Sequence, residues 1–393
     1  MAEARLPATA WAARADLARL VGVLGADAAR YVGGAVRDSL LGLPVKDVDI
    51  ATPLAPEHVM QLCAQAHIRA LPTGIAHGTI TAVLDSGPVE ITTLRHDVAT
   101  NGRHAEVAFT EDWQADAARR DFTINALYAD PATGEIFDYF GGLADLARRH
   151  VRFIGDAEER IREDHLRILR YFRFQARFGA LPADGVAESA CAALAATLKG
   201  LSRERVGMEM MNLLGLADPA PTIARMAELG VLAVILPEGE PAALAALVAE
   251  EQRQAIAPEA IRRLAALLPA DAALAEAIAS RFRLSGAQKK RLAQAAARPA
   301  AGSAQALAYR LGHAAATDLL LLEGRDARAL AGWQAPAFPL KGGQIVARGV
   351  AAGPEVARLL QQVEARWVAE GFPDEARVEA LLAQALAGAA PAP

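Results

Sequence analysis

The chain has 393 residues, enough for two or more domains with a sizeable buried core. Its 53% hydrophobic and 22% charged residues are those of an ordinary soluble globular protein with an alanine bias. No uninterrupted apolar run reaches bilayer-spanning length: even the greasy stretch near Leu264–Ala279 is broken by Pro269, Asp271 and Glu276. A formal net charge of −5 argues against indiscriminate coating of nucleic acid, while leaving room for a local basic track. Cys63 and Cys191 are too few for a disulfide framework or a cysteine-ligated zinc site. The N-terminus, with Glu3 and Asp16, lacks the order of a signal peptide, so a reducing cytoplasm is the expected compartment. Neither a Walker A loop nor a dinucleotide fingerprint occurs, so any nucleotide chemistry must use another cradle.

The apolar spacing of Leu17, Leu20, Val21 and Leu24 predicts a helix over Ala10–Leu24. Short strand-like runs follow at Arg30–Val32, Val45–Ala51, His77–Leu84 and Val89–Leu94, with a helix at about Pro56–Ala66. The Asp85-Ser86-Gly87-Pro88 cluster joins the last two runs as a hairpin. Between Arg95 and Arg119 the sequence turns polar and aperiodic, which reads as a long functional or disordered connection. From about Ile154 onward helical periodicity dominates, interrupted near Pro237, Pro241, Pro258, Pro299 and Pro336, and Gly388–Pro393 reads as a frayed tail. The expected fold class is α+β: a mixed head followed by a long helical body.

Within the head, Tyr31-Val32-Gly33-Gly34-Ala35-Val36-Arg37-Asp38 reads as strand, glycine turn and helix start. Backbone N–H groups at such a turn can cradle phosphates, with Gly33 and Gly34 allowing close approach and Arg37 one turn further on. An ordinary glycine turn is the competing reading. Asp47-Val48-Asp49 sets two carboxylates on one face of a strand, an arrangement that suits Mg²⁺ because the two repel unless a cation lies between them. Glu90 supplies a candidate third carboxylate from the hairpin strand. Taken alone, these acids fit a solvated sheet face at least as well. It is the ordered combination of glycine cradle, paired aspartates and acidic hairpin that points to phosphoryl transfer.

Arg119-Arg120-Asp121-Phe122-Thr123-Ile124-Asn125-Ala126 places two guanidiniums and a carboxylate where a helix is expected to begin. Asp121 there reads either as a helix-end acid, or, with Asn125, as a partner for a ribose hydroxyl beside an Arg120 that holds phosphate. In Glu163-Asp164-His165-Leu166-Arg167-Ile168-Leu169-Arg170-Tyr171-Phe172-Arg173, the residues Asp164, Arg167, Arg170 and Arg173 form a slowly drifting stripe on one expected helix face. Glu163–Arg167 and Asp164–Arg167 read as helical ion pairs. A fixed Asp–Arg pair also reads a base edge: the carboxylate accepts from the amine of cytosine or adenine, and the arginine donates to the adjacent ring nitrogen. Uracil and guanine put an oxygen where the carboxylate needs a donor.

These motifs, in this order over roughly the first half of the chain, resemble the class II tRNA nucleotidyltransferases (CCA-adding enzymes) and bacterial poly(A) polymerases. A weaker fifth piece is Glu204-Arg205-Val206-Gly207-Met208-Glu209. The resemblance implies a polymerase-β-like head at 1–150, then an all-helical neck at 151–215 for base recognition, a body at 216–300 and an RNA-binding tail at 301–393. It implies catalysis by Asp47, Asp49 and Glu90, with Mg²⁺ on Asp47 and Asp49. Nucleotide binding would fall to Gly33, Gly34, Arg37, Arg120, Asp121, Asn125, Glu163, Asp164, Arg167, Arg170 and Arg173. The implied activity is template-independent addition of C, C and A to the tRNA 3′ end from CTP and ATP, with no membrane and no protein partner inferable. Pro72-Thr73-Gly74-Ile75-Ala76-His77-Gly78-Thr79-Ile80-Thr81 is similar to the CCA-adding group, and Arg95–Val107, with Arg103, His104 and Glu106, occupies the place of its flexible loop. Poly(A) synthesis, CC-only addition and non-catalytic RNA binding are the alternatives. With only His313 after His165, a His-Asp phosphohydrolase domain is not expected. Arg281, Arg283, Lys289, Lys290 and Arg291 form the densest basic patch of the body, read equally as an RNA track or a solvated helix face.

Overall fold

The computed structural model describes residues 4–101 and 104–389. Two units divide the chain, Met1–Pro237 and Glu238–Pro393. In the first, helix α1 (Ala15–Leu24) buries Leu17, Leu20, Val21 and Leu24 at the expected spacing. It stops at Gly25, where a φ of 97° favours glycine. Then come β1 (Arg30–Val32), α2 (Gly34–Leu40), β2 (Val48–Thr52), α3 (Pro56–Gln65), β3 (Arg69–Gly74), β4 (Thr79–Leu84) and β5 (Gly87–Thr93). A separate hairpin, β6 (Arg95–Asn101) and β7 (His104–Phe109), leads to α4 (Trp113–Ala118), β8 (Leu127–Ala129), β9 (Ile136–Asp138) and α5 (Gly142–Ala147).

The main sheet runs β3-β4-β5-β2-β1-β8-β9. Among the described residues, only β2 and β5 pair in parallel; their register sets Asp49 beside Glu90, Ile50 beside Ile91 and Val48 beside Val89. Because side chains alternate across a strand, Val48, Ile50, Val89, Ile91 and Ile80 fill the core while Asp49 and Glu90 share the other face. The mixed sheet and the helical remainder match the expected α+β class.

Three local expectations are corrected. Asp47 lies one residue ahead of β2, not within it. The stretch after Arg95 is a paired hairpin rather than an aperiodic connection, with a bulge between Asp97 and Ala99; of the residues expected to matter there, Arg103 and the side chains of His104 and Glu106 lie outside the described residues. No helix begins at Arg119: Thr123–Asn125 forms one 3-10 turn before β8. The backbone of this segment is held from outside, with Ile154 N–H donating to Asp121 O at 3.1 Å and Thr123 N–H to Arg152 O at 3.3 Å, and the Thr123 hydroxyl donates to Asp145 Oδ2 at 2.6 Å.

Helices α6 (Ala157–Glu163), α7 (Arg167–Phe178), α8 (Gly185–Leu194), α9 (Arg203–Leu214), α10 (Ala220–Glu228) and α11 (Val231–Ile235) complete the first unit. On α7, Ile168, Leu169, Tyr171, Phe172, Phe174 and Phe178 are buried, leaving the arginines to the other side. Phe122, fully buried, lies 5.0 Å from Phe153 and 5.1 Å from Phe174 between ring centroids, and so seats the 119–125 segment against α7.

The second unit is helical throughout: α12 (Pro241–Gln254), α13 (Ala260–Leu267), α14 (Ala272–Arg281), α15 (Gly286–Ala296), α16 (Ala304–Leu311), α17 (His313–Leu322), α18 (Gly342–Val346), α19 (Pro354–Ala369) and α20 (Glu375–Ala389). The expected frayed tail is helical to Ala389, and 390–393 lie outside the described residues. Its last helices pack around Trp367, Leu359, Val363 and Leu381. Between α12, α13, α15 and α17 lies a buried ionic network. Glu251 accepts from Arg262 at 2.7 Å and from Arg263 at 2.8 Å, and Asp318 accepts from Arg262 at 3.3 Å and from Arg291 at 2.6 Å. Arg291 is therefore turned inward, and Arg281 is held by Glu238 at 2.8 Å, so two members of the expected basic patch serve the fold. Removing Asp318 takes one acceptor from each of Arg262 and Arg291, which keep Glu251 and Glu259. Asp318→Ala is expected to lower the unfolding free energy of this unit by about 1–3 kcal/mol, measured by urea unfolding; an unchanged midpoint would show that Asp318 contributes nothing.

Candidate active site

Beside the carboxylate-bearing face of the sheet lies a cavity of about 740 Å³. Residues from β1–α2 (Gly33, Gly34, Arg37), from β2 and its approach (Asp47, Asp49), from the 119–125 segment (Arg120, Asp121, Asn125) and from α7 and its approach (Asp164, Arg167, Arg170, Arg173) all line it. Twelve expected site residues thus meet in one place. Two do not. Glu90 stands next to Asp49 in the sheet, exposed, and is not among the lining residues. Glu163 faces a separate cavity of about 430 Å³ with His96 and Arg160.

Sequence reasoning did not assign Arg95, Arg119, Leu166, Phe174 and Arg205 to the site, though all line the cavity. Arg119 was legible as the neighbour of Arg120. Arg205 and Glu209, four apart in the fifth motif, carried the only local signal of a second helix facing α7.

Gly33 has a φ of 69°, a conformation that favours glycine, and a Cβ there would meet Arg120 Nη1 at 3.5 Å. Arg37 is almost fully buried. It donates to Asp38 at 2.8 Å and to Asn125 Oδ1, and its guanidinium lies 4.2 Å from the centre of the Phe178 ring. Asp38 in turn takes Arg177 at 3.1 Å. Burial lowers the pKa of Arg37 and Asp38 opposes that shift. Arg119 and Arg120 share Asp116 (2.7 and 3.2 Å), which also accepts from Tyr128 Oη at 2.6 Å.

Asp164 closes α6 as its C-cap and is not part of a helix, so the expected four-residue stripe begins only at Arg167. The expected Asp164–Arg167 ion pair is absent among the described residues. Asp164 Oδ1 accepts from Leu166 N–H at 3.1 Å, and Oδ2 accepts from Arg205 at 2.7 Å. Arg167 donates through Nη1 to Glu163 at 2.6 Å and to Arg160 O at 3.0 Å, and through Nη2 to Arg119 O at 3.0 Å. Of a guanidinium's five N–H donors, the Nε–H and one Nη2–H have no protein acceptor among the described residues. Arg170 binds Asp121 at 2.6 Å and Arg173 binds Glu209 at 2.6 Å.

Burial pushes the Asp49 carboxyl up to about 6, with Glu90 adding to the shift, Arg120 opposing it and Asp47 contributing further. Crowded acids of this kind are relieved by a cation. Among the described residues no group of three or more His, Cys, Asp and Glu converges to hold a metal unaided. Two aspartates beside open, phosphate-sized space nonetheless fit a hard divalent ion, which takes one or two carboxylates and completes its shell with phosphate oxygens and water.

Comparison with known proteins fits this geometry. Residues 29–152 match the family described as the Poly A polymerase head domain, and residues 184–242 match one described as the probable RNA and SrmB-binding site of polymerase A. The chain is 50% identical over 188 residues to the mitochondrial CCA tRNA nucleotidyltransferase 1 of Mus musculus, covering 47% of this chain and 43% of that protein. Over that first half the chain is similar to the CCA tRNA nucleotidyltransferases. It is 41% identical over 210 residues to the CCA-adding enzyme of Geobacillus stearothermophilus, covering 53% of this chain and 50% of that one. It thus spans about half the length of the curated relatives it matches. A crystal structure of the Bacillus stearothermophilus CCA-adding enzyme in complex with CTP superimposes with a TM-score of 0.69 at 26% identity, covering 95% of this chain and 98% of that one. Among the described residues no helix is long and apolar enough to cross a membrane.

Asp121 joins cavity and fold. Burial alone would raise its carboxyl, but Arg170, the Asn125 amide and the Phe122 N–H outweigh burial and hold it at about 2, down from 3.8. A depressed carboxyl contributes stability above its unfolded value and loses it as pH falls through the folded one. The first unit is therefore expected to lose about 2 kcal/mol between roughly pH 4 and pH 2, and Asp121→Asn to flatten that slope. Urea unfolding at stepped pH checks this; an identical slope in the variant would count against the pair.

Proposed function

We propose that this chain adds C, C and A, one at a time, to the 3′ end of tRNA, drawing on CTP and ATP and releasing pyrophosphate. The observation that carries the reading is the single cavity in which the Gly33–Gly34 turn, Asp47 and Asp49, and Asp164 and Arg167 meet. Relatives named for CCA addition, and a structure of one with CTP, support it.

Eight arginines against four aspartates line the cavity, giving a positive excess that suits a polyanionic triphosphate. In this reading the backbone at Gly33–Gly34 cradles the phosphates, and Arg37 and Arg120 bind phosphate and sugar oxygens. Asn125, itself held by Asp121, keeps Arg37 aimed and Asp116 keeps Arg120, while Asp121 and Asn125 lie within reach of the ribose. The 3′-oxygen of the RNA bonds to the α-phosphorus as the bond from that phosphorus to the bridging oxygen breaks, and pyrophosphate leaves in line. Asp47 and Asp49 would hold Mg²⁺, which when bound supplies Lewis-acid stabilisation of charge on the phosphoryl oxygens. Glu90, next to Asp49, is proposed to support that carboxylate through the sheet. Asp164 accepts from the exocyclic amine of the base, and the unused N–H groups of Arg167 face its ring nitrogen. Glu163, outside the cavity, acts on Arg167 rather than on the nucleotide.

The division into head (1–150), neck (151–215), body (216–300) and RNA-binding tail (301–393) belongs to the same proposal. Buried free thiols at Cys63 and Cys191 accord with a reducing cytoplasm.

The test is incubation with magnesium and tRNAs ending before CCA, after C and after CC, with each nucleotide supplied singly and together, and products resolved to one nucleotide. Growth to CCA that then stops is expected. Arrest at CC would point to CC-only addition, long adenosine tails to a poly(A) polymerase, and no growth to a non-catalytic RNA binder. Asp47→Ala and Asp49→Ala are expected to slow addition by about three orders of magnitude or more while RNA binding and the melting curve hold. Survival of activity in either variant removes that residue from the chemistry.

A further inference from the structure

Asp164 and Arg167 sit three residues apart in a cavity crowded with guanidiniums. Left to themselves, a carboxylate and an arginine at that distance would pair with each other, and neither would be available to a base. Each instead has its own clamp. Arg167 is drawn towards Glu163 and the carbonyls of Arg119 and Arg160. Asp164 is drawn the other way by Arg205, which reaches across from α9 to Oδ2 at 2.7 Å while Leu166 N–H occupies Oδ1. One turn further along α9, Glu209 holds Arg173 with the opposite polarity, which fixes the helix that presents Arg205.

We propose that Arg205 is a positioning residue for nucleotide selection: it holds Asp164 apart from Arg167, with lone pairs directed to the exocyclic amine of the incoming base, and so sets the preference for amine-bearing bases over carbonyl-bearing ones. This rests on the proposed function. Without Arg205 the Asp164 carboxylate is free to turn onto a neighbouring guanidinium. The cost then falls on bases that need an acceptor there and spares those that do not. A residue that merely braced the fold would weaken every nucleotide alike.

The experiment compares wild type, Arg205→Gln and Arg205→Lys on a tRNA ending before CCA, measuring kcat/KM for one addition from CTP, from UTP and from the CTP analogue that lacks the 4-amino group. The CTP-over-UTP preference is expected to fall by about ten- to hundredfold in R205Q, mostly through KM for CTP. The penalty for deleting the amine is expected to shrink in parallel, and R205K to recover part of both. Melting curves confirm folding, and Arg205→Met, which keeps the packing of the stem, stands in should R205Q fold poorly. Equal losses for CTP, UTP and the analogue would overturn the role of Arg205 while leaving the proposed function intact. Failure of the wild type itself to prefer CTP over UTP would instead remove the base-reading assignment and, with it, this inference.

Discussion

Like charges packed into one cavity repel, and the organisation of the first unit follows from having to hold them there. Eight arginines line a space open to solvent, and the seven outside the hairpin strand each answer to a specific acceptor. Arg37 has Asp38 and Asn125, Arg119 and Arg120 have Asp116, Arg170 has Asp121, Arg173 has Glu209, Arg205 has Asp164, and Arg167 has Glu163 with two carbonyls. The acceptors come from different elements, so the pairs tie the glycine turn, the 119–125 segment, α7 and α9 into one frame. Such pairs add little net stability when compared with apolar packing, but they fix direction, and a polyanion then meets donors that need not reorganise.

The aromatic packing beneath this frame has a different task. Phe122 fills the space between Phe153 and Phe174 and carries Asp121 to Arg170 at its side. Apolar burial supplies the free energy and the ion pair supplies the bearing. The second unit has a charge network of its own inside, with Glu251 and Asp318 gripping Arg262, Arg263 and Arg291 between alanine-rich helices. Alanine surfaces are smooth and tolerate sliding, and a buried network with fixed donors and acceptors selects one alignment among several of similar apolar area.

What was legible in the sequence depended on range. Asp47 and Asp49 could be placed near one face, because alternation is a property of the strand itself. The buried stripe of α1 and the hairpin turn at Asp85–Pro88 were equally local. The segment from Arg119 to Asn125 misled, because its polar start and apolar sequel imitate a helix, whereas its backbone partners, Arg152 and Ile154, lie some thirty residues on. The β6–β7 hairpin was hidden by a bulge that breaks the period of two. Arg205 could be noticed as part of a motif, yet its partner is forty-one positions away, and nothing in its own neighbourhood names Asp164. Arg291 looked like surface charge because a helix with few apolar residues gives no sign that a carboxylate is buried opposite.

The parallel pairing of β2 with β5 has a further reach. The same register that puts Asp49 beside Glu90 puts Ile50 beside Ile91 and Val48 beside Val89. A slip of one residue would bring an apolar side chain next to Asp49 and drive Glu90 into the core. Reactive surface and hydrophobic interior are therefore two readings of one alignment, and neither can drift without spoiling the other. An insertion or deletion between α3 and β5 is screened first by whether the protein folds. Those that pass have, by the same token, kept their acids in step.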